Sequence, residues 1–405
     1  MKLARLAWVR VRGLIHGRFL DAAVFVVSVV VAGLMILIRP LLWIRVARFG
    51  GFLSARIGHL AANPDVYLRS REAGVERGDT VDFFYVSPQG VANEQLLKMW
   101  RRSGLIRLMS TRFGESLTQV LGTVPGGGHH IFSTHPTGSS ALLPGRKKYL
   151  FFNSEEIKRG EDFLRKMGIP VNAAIVCAHQ RDSVYLKHHG QKDLNRHDHR
   201  DSSIMDYVPM MQELARQGHW VIRMGSEVAE RLPDLGGQVI DYAGGWRSDF
   251  MDIFLLWKCK FFVGSNSGLS AVNIIWRKPV VLVNYIPFQA RDIYAWPAGS
   301  IFVPKKLWSL KERRHLTVEE MAKLDVDVHY RGDFYGDRGL EVRNNSPQEI
   351  LEAAMEMDER LAGRVDEDRT DSERQDKFWR EFGDERLYGV YGMRISRRFL
   401  EENSS

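Results

Sequence analysis

Ile175–Asp201 reads IVCAHQRDSVYLKHHGQKDLNRHDHRD. It opens as a short apolar run, reads as a buried strand, and breaks into a loop crowded with His, Arg and Asp. Open α/β sheets carry ligand chemistry beyond the carboxyl ends of their strands. Arg181 stands at such an end, and its guanidinium fork matches phosphate oxygens. The reading of the chain turns on this: Arg181 is a phosphate contact, and another part of the chain must build the rest of the pocket.

The residues that follow repeat the pattern of a covered parallel sheet. Ser203–Arg216 places Ile204, Tyr207, Val208, Met211 and Leu214 on one helical face. Next come HWVIRM (His219–Met224, strand), QVIDY (Gln238–Tyr242, strand), a helix over Asp249–Trp257, a strand over Lys260–Val263, a helix through Ala271–Trp276 and PVVLVNY (Pro279–Tyr285, strand). The strands are apolar throughout, as expected where helices cover both faces. Gly264-Ser-Asn-Ser-Gly-Leu-Ser270 lies between a strand and a helix start. Such a turn offers backbone N–H groups to an anion, with serine hydroxyls as further donors. Ser265, Asn266, Ser267 and Gly268 are therefore the expected second half of a phosphate site. Asp249 and Asp252 share a face near the start of the preceding helix; Asp249 reads as its cap, Asp252 as a contact for a nucleotide base. No GxxxxGK[ST] or GxGxxG pattern occurs, which removes the motif support for P-loop NTPases and dinucleotide enzymes.

Upstream, DTVDFFYVS (Asp79–Ser87, strand), Ala92–Arg102 (helix) and GLIRLMS (Gly104–Ser110, strand) form a smaller alternating block. Arg45–Arg69 (RVARFGGFLSARIGHLAANPDVYLR) carries paired glycines and then His59. His59 is either a general base, since imidazole titrates near neutrality, or a packing residue on a helix face. Pro125-Gly-Gly-Gly-His-His130 reads as a surface loop or a lid. Ser346-Pro-Gln-Glu349 is a capping box that opens a helix through Leu361, and Asp366–Lys377 reads as a solvated helix or loop.

Composition sets the class: 405 residues, 44% hydrophobic and 26% charged, with a net charge of +8, are those of a globular protein of two or three domains. The two cysteines, Cys177 and Cys259, sit in apolar contexts, which argues against a disulfide scaffold or a zinc site. Ala22–Ile38 is uncharged, and from Met1 to Arg56 the only acid is Asp21. A basic, apolar end suits an anionic membrane surface, either as one span or as a helix lying in the interface. No nucleic-acid motif accompanies the charge, so no nucleic-acid partner is expected. His188, His189, His197 and His199 with Asp193, Asp198 and Asp201 fit neither HExxH nor a Cys/His zinc spacing. A metal-dependent hydrolase is one alternative reading of that loop, and a non-catalytic glycan- or nucleotide-binding component is another for the whole chain.

Met251–Ser270 (MDIFLLWKCKFFVGSNSGLS) resembles the acidic-helix, strand, serine-loop block of the GDP-fucose-using fucosyltransferases, and His179-Gln-Arg181 is similar to their His-x-Arg motif. More closely, RIGHLAANPDVYLR, RDSVYL, HWVIRMGS, RSDFMDI and VLVNYIP resemble a bacterial family of glycosyltransferases of GT-B type from surface-polysaccharide contexts, over most of the chain beyond about residue 45. The resemblance implies an α/β, GT-B-like fold: two facing Rossmann-like domains (45–165 on the acceptor side, 166–345 for the nucleotide sugar), a membrane-associated segment (1–44) before them and a helical segment (346–405) after. It implies a nucleotide-sugar glycosyltransferase acting on a surface-glycan or lipid-linked acceptor at the cytoplasmic face of the inner membrane, with no cofactor and no metal. Carried over by position, Arg181, Ser265 and Ser267 meet phosphate and Asp252 the base; Arg223, His197 and Asn284 are further nucleotide or sugar contacts. Asp182 stands where the fucosyltransferases place a second arginine. An acid there is open to service as the catalytic base, as a sugar-hydroxyl contact, or as a partner of Arg181.

Overall fold

The computed structural model describes residues 19–38, 46–76, 78–134, 147–181, 199–288, 293, 296–324, 333–365, 368–383, 389 and 392–403. Two compact units divide at 145/146.

The first unit holds helix α1 (Phe19–Ile38), strand β1 (Val46–Gly51), helix α2 (Ile57–Glu72), β2 (Thr80–Tyr85), α3 (Glu94–Ser103), β3 (Arg107–Leu108) and α4 (Thr111–Leu121). Its strands form a parallel sheet in the order β1-β2-β3. Each strand is followed by a helix, as parallel pairing requires. Asn93 caps α3 by accepting from the Leu96 N–H at 2.9 Å. Inside the unit, Arg48 forks onto buried Asp82 through two 2.8 Å bonds, and Arg71 reaches the same carboxylate at 2.7 Å. The glycine stretch expected as a surface loop or lid is a surface turn with anchored points: Pro125, Gly126, Gly128 and His129 are exposed, while Gly127 has no room for a Cβ beside the Leu121 carbonyl. In the same turn the buried His130 ring nitrogen Nδ1 donates to the Ala47 carbonyl at 2.8 Å.

The second unit is a seven-stranded parallel sheet with helices. In chain order its elements are α5 (Ser154–Lys166), β4 (Ile175–His179), α6 (Val208–Arg216), β5 (Trp220–Arg223), β6 (Val239–Asp241), α7 (Asp249–Lys258), β7 (Phe261–Gly264), the short turns α8 (Gly268–Ala271) and α9 (Asn273–Trp276), β8 (Val280–Tyr285), β9 (Ile301–Pro304), α10 (Pro347–Leu361), α11 (Arg369–Phe382), β13 (Arg394–Ile395) and α12 (Arg397–Asn403). Between β9 and α10 lies a small antiparallel sheet of β10 (Lys306–Ser309), β11 (Arg314–His315) and β12 (Leu340–Arg343). The large sheet runs β13-β9-β8-β7-β4-β5-β6. The chain enters in the middle at β4, winds outward to β6, returns to β7 on the other side of β4, and winds outward again. β4 and β7 therefore flank the point where the winding reverses. Their central residues are fully buried, as the apolar runs anticipated.

One boundary differs from expectation. The helix over residues 154–166 belongs to the second unit, so the division falls some twenty residues before 165. Gly160 of α5 lies flat on the Phe254 ring of α7, where a Cβ would sit 2.2 Å from the ring. Phe152 packs among Phe250, Phe254, Trp257 and Trp276. The segment 346–405 holds the helices α10, α11 and α12, as expected, and adds the two-residue strand β13 beside β9. Residues 368–377 of the charged run form the cap and first turns of α11, a helix as one reading had it, and Gln375, Phe378, Trp379 and Phe382 of that helix are buried. Gln375 bonds both backbone groups of Ile395, at 2.7 and 3.0 Å. The capping box at Ser346 forms as read, with the Glu349 N–H on the Ser346 hydroxyl and the Ser346 N–H on the Glu349 carboxylate.

Candidate functional site: the carboxyl edge between β4 and β7

His179, at the end of β4, pairs in register with Gly264 at the end of β7. The strands approach so closely that a Cβ on Gly264 would lie 2.4 Å from the His179 carbonyl, so glycine is the residue that fits. The His179 ring donates from Nδ1 to the Met224 carbonyl at 3.0 Å, which ties β4 to the end of β5. One residue on, the Arg181 N–H donates to the Ser265 hydroxyl at 3.0 Å, and the Ser265 N–H donates back to the His179 carbonyl at 3.3 Å. The expected partnership of Arg181 with the serine loop is thus a direct bond across the crevice at the winding reversal.

Residues 199–201 close over this edge. The Arg181 guanidinium pairs with Asp201, and Arg200 donates to the Asn266 carbonyl. Lys305, which directly follows β9, sends its buried Nζ to the carbonyls of His199 (2.8 Å) and Asp201 (2.9 Å). Burial pushes the Lys305 ammonium down to about 8; Arg181 and Arg200 push the same way and Asp201 opposes them. Arg181, Arg200 and Lys305 therefore gather at this edge, a concentration of positive charge that suits an anion. Sequence reading assigned Lys305 no role. Its signal was an apolar run, IFVP, ending in a cation: the same signature that singled out Arg181.

The serine loop is positioned as expected, but its hydroxyls serve the loop itself. Ser267 accepts from the Ser270 N–H at 3.2 Å and bonds the Ser270 hydroxyl at 2.9 Å, and Ser270 donates to the Ser265 carbonyl at 2.6 Å. Ser265 and Ser267 are buried, Asn266 is half-buried and Gly268 exposed. Ser267 caps the helix start at Gly268, and Val272, in αR geometry, joins the short pieces α8 and α9. The hydroxyls hold the turn's shape, and the guanidinium and ammonium groups beside it carry the charge.

The remaining candidates separate. Arg223 is fully buried and bonds Asp241 (3.0 Å) and the Glu230 carbonyl (2.9 Å), which makes it a strut between β5 and its neighbours rather than a ligand contact. Asn284 and Asn345 each donate a backbone N–H to the other's side-chain Oδ1, at 2.5 and 2.7 Å, and so fasten β8 to the turn before α10. His59 lies in the first unit, half-buried in the first turn of α2, its Nδ1 3.4 Å from Asn63 Oδ1. Asp182 and His197 fall outside the described residues, as do His188, His189, Asp193 and Asp198.

Asp252 accepts from the Tyr242 hydroxyl at 2.8 Å and from Arg247 Nε at 3.1 Å. Ser248, not Asp249, caps α7, by accepting from the Met251 N–H at 3.2 Å; Asp249 pairs with Arg247. Burial drives the Asp252 carboxyl up to about 6 against the pull of Arg247 and Tyr242. A carboxyl raised in the folded state favours folding while protonated, and that advantage fades as pH climbs through about 6. From pH 5 to pH 8 the loss is about 1–2 kcal/mol. Asp252→Asn is therefore expected to gain a few degrees in melting temperature relative to wild type between pH 5 and pH 8; a gap that does not change with pH would refute this ionisation.

A cavity of about 540 Å³ lies among Gln217, His219, Lys260, Asp358 and Arg364. His219 and Lys260 directly precede β5 and β7, so it opens at the amino ends of the strands. Its charged side chains are engaged with one another: Asp358 bonds His219 at 2.9 Å, Lys260 at 2.6 Å and Arg364 at 3.0 Å.

No family model matches the chain, and no curated protein matches it. Solved structures similar to it include a glycosyl transferase family 9 protein from Veillonella parvula DSM 2008, with 12% identity over 79% of this chain and 98% of that one and a TM-score of 0.43. Another is the ADP-heptose LPS heptosyltransferase II of E. coli, with 11% identity over 78% and 99% and a TM-score of 0.46. The dodecameric iron-containing heptosyltransferase TibC, in complex with ADP-D-beta-D-heptose, aligns over 58% of each chain at 13% identity and a TM-score of 0.32. None of the three is described as a fucosyltransferase.

Proposed function

We propose that the protein is a glycosyltransferase whose second unit holds the diphosphate of a nucleotide sugar at the carboxyl edge between β4 and β7, and passes the sugar to a hydroxyl of a surface glycan or lipid-linked acceptor. The observation that carries the anion site is the convergence of Arg181, Arg200 and Lys305 at the winding reversal of a parallel sheet, the place where such sheets take ligands. The transferase reading draws on the resemblance of Met251–Ser270 and His179-Gln-Arg181 to nucleotide-sugar enzymes.

In this scheme Arg181, with Arg200 and Lys305 beside it, meets the negative charge that grows on the departing diphosphate. Cations fixed before the reaction stabilise that charge without reorganising. The acceptor hydroxyl loses its proton to His59 or Asp182, the two bases proposed from the sequence. Asp252, held by Tyr242 and Arg247, is proposed to contact the base of the nucleotide.

The test is a panel of ADP-, GDP- and UDP-linked sugars, read by thermal stabilisation and by release of nucleoside diphosphate. One nucleotide class is expected to raise the melting temperature and to be hydrolysed slowly without acceptor. If none stabilises the protein and none is consumed, the donor-site reading is wrong.

A further inference from the structure

Helix α1 has two unlike long faces. One packs into the first unit: Phe25, Val29, Ala32 and Met35 meet Leu117, Val120 and Leu121 of α4 and Phe49 of β1. Ser28 is fully buried and donates to the Val24 carbonyl at 2.8 Å, so its polar group is spent within the helix. The other face carries Phe19, Val26, Val27, Val30, Leu34 and Leu37, all at least half exposed, with Phe19 at 69% and Leu37 at 73%. These positions recur at helical spacing along the whole length, about 30 Å for twenty residues. A continuous apolar stripe of this kind on a folded surface marks a contact.

The sequence beside it supplies the charge of the partner. Residues 1–18 contain Lys2, Arg5, Arg10, Arg12 and Arg18 and no acid, and Arg39 and Arg45 follow the helix. Apolar residues on one helix face with cations at both ends fit the boundary of an anionic bilayer.

The packing also decides between the two ways of meeting that bilayer. α4 lies against the middle of α1 and carries Arg112, Glu115 and Gln119. Were α1 to cross the membrane, α4 and the edge of the sheet would be drawn to the same depth, where charged groups and open backbone are costly. We infer that α1 lies in the plane of an anionic membrane surface, its Phe19–Leu37 stripe sunk among the acyl chains and its Phe25–Met35 stripe holding the first unit against the lipid.

The experiment uses the full chain with phosphatidylcholine vesicles, with and without about one-third phosphatidylglycerol. The protein is expected to float with the anionic vesicles, and the pair V27E/V30E, on the exposed stripe, to weaken that binding about tenfold or more while leaving the circular dichroism spectrum unchanged. Depth is read separately from fluorophores on Val26→Cys, Val30→Cys and Leu37→Cys; the native Cys177 and Cys259 are buried and shielded from labelling. All three labels are expected at one shallow depth. A deep label at Val30 with a shallow one at Leu37 would mean a span and overturn the inference. Vesicle binding untouched by V27E/V30E overturns it too. So does self-association without vesicle binding that the same pair abolishes, which would assign the stripe to a second copy of the chain.

Discussion

Arg181→Ala is expected to lower kcat/KM for the nucleotide sugar by about 10²–10³-fold and to erase its thermal stabilisation. The fold should survive, because the backbone bond from the Arg181 N–H to Ser265 does not depend on the side chain. The expected loss is large because Arg181 reaches the crevice from the first strand of the winding and faces the loop of the fourth. Its guanidinium pairs with Asp201 there. Arg181→Lys should recover part of the binding, since it keeps the charge and loses the two-pronged geometry. Lys305→Met is expected to fall between, at about tenfold, since Lys305 acts through the carbonyls of His199 and Asp201 that it holds. An unchanged nucleotide shift in Arg181→Ala would remove this residue from the donor site and leave the cation cluster a structural one.

Asp371→Ala is expected to be the most destabilising of the substitutions considered, with no connection to the donor site. Asp371 is 2% exposed and gathers three arginines: Arg394, Arg360 at 3.3 Å and Arg397 at 3.7 Å. Arg394 is itself buried, with Glu356 also near it, at 3.7 Å. Removing the carboxylate takes the nearest acid away from that buried guanidinium, a loss of about 3–5 kcal/mol. For a unit of this size that amounts to roughly 6–15 °C in melting temperature. Differential scanning calorimetry of the intact chain reads it directly, and a shift below about 2 °C would mean that Glu356 and solvent suffice. Asp371→Asn should lie between, because its oxygen still accepts one of the bonds.

The parallel sheet was legible because its strands are buried on both faces. IVCA, FFV and VVLV have no polar alternation to disguise them, and each ends at a polar residue or glycine: His179, Gly264 and Asn284. The winding order was not legible, since nothing in those runs states which strand neighbours which. β9 and β13 escaped notice for a different reason: four and two residues long, they give too little periodicity to register. That omission hid Lys305. The charge-rich stretch of α11 was legible as a helix, but not its buried stripe of Asp371, Gln375, Phe378, Trp379 and Phe382, most of which lies beyond the charged run. At the site, the position of the serine loop followed from its strand-turn-helix setting. The use of its hydroxyls did not, because whether a serine faces outward or bonds its own loop depends on the path of the backbone. Arg223 and Asn284 were candidates by residue type and strand position; tertiary partners, Asp241 and Asn345, claim both.

β13 lies at the open side of β9 and is among the last pieces of the second unit to be synthesised. Until residues 394–395 leave the ribosome, the backbone of Ile301–Pro304 has an unpaired edge, and the arginines of α12 and β13 have not reached Asp371. The first unit draws all of its elements from residues before 145 and has no such wait. Synthesis therefore imposes an order: the first unit can form while the chain is still growing, whereas the sheet with the cation cluster is sealed afterwards. A message cut short near residue 383 would yield a protein with a sound first unit and an adhesive edge on the second, the kind of surface that draws chains into aggregates.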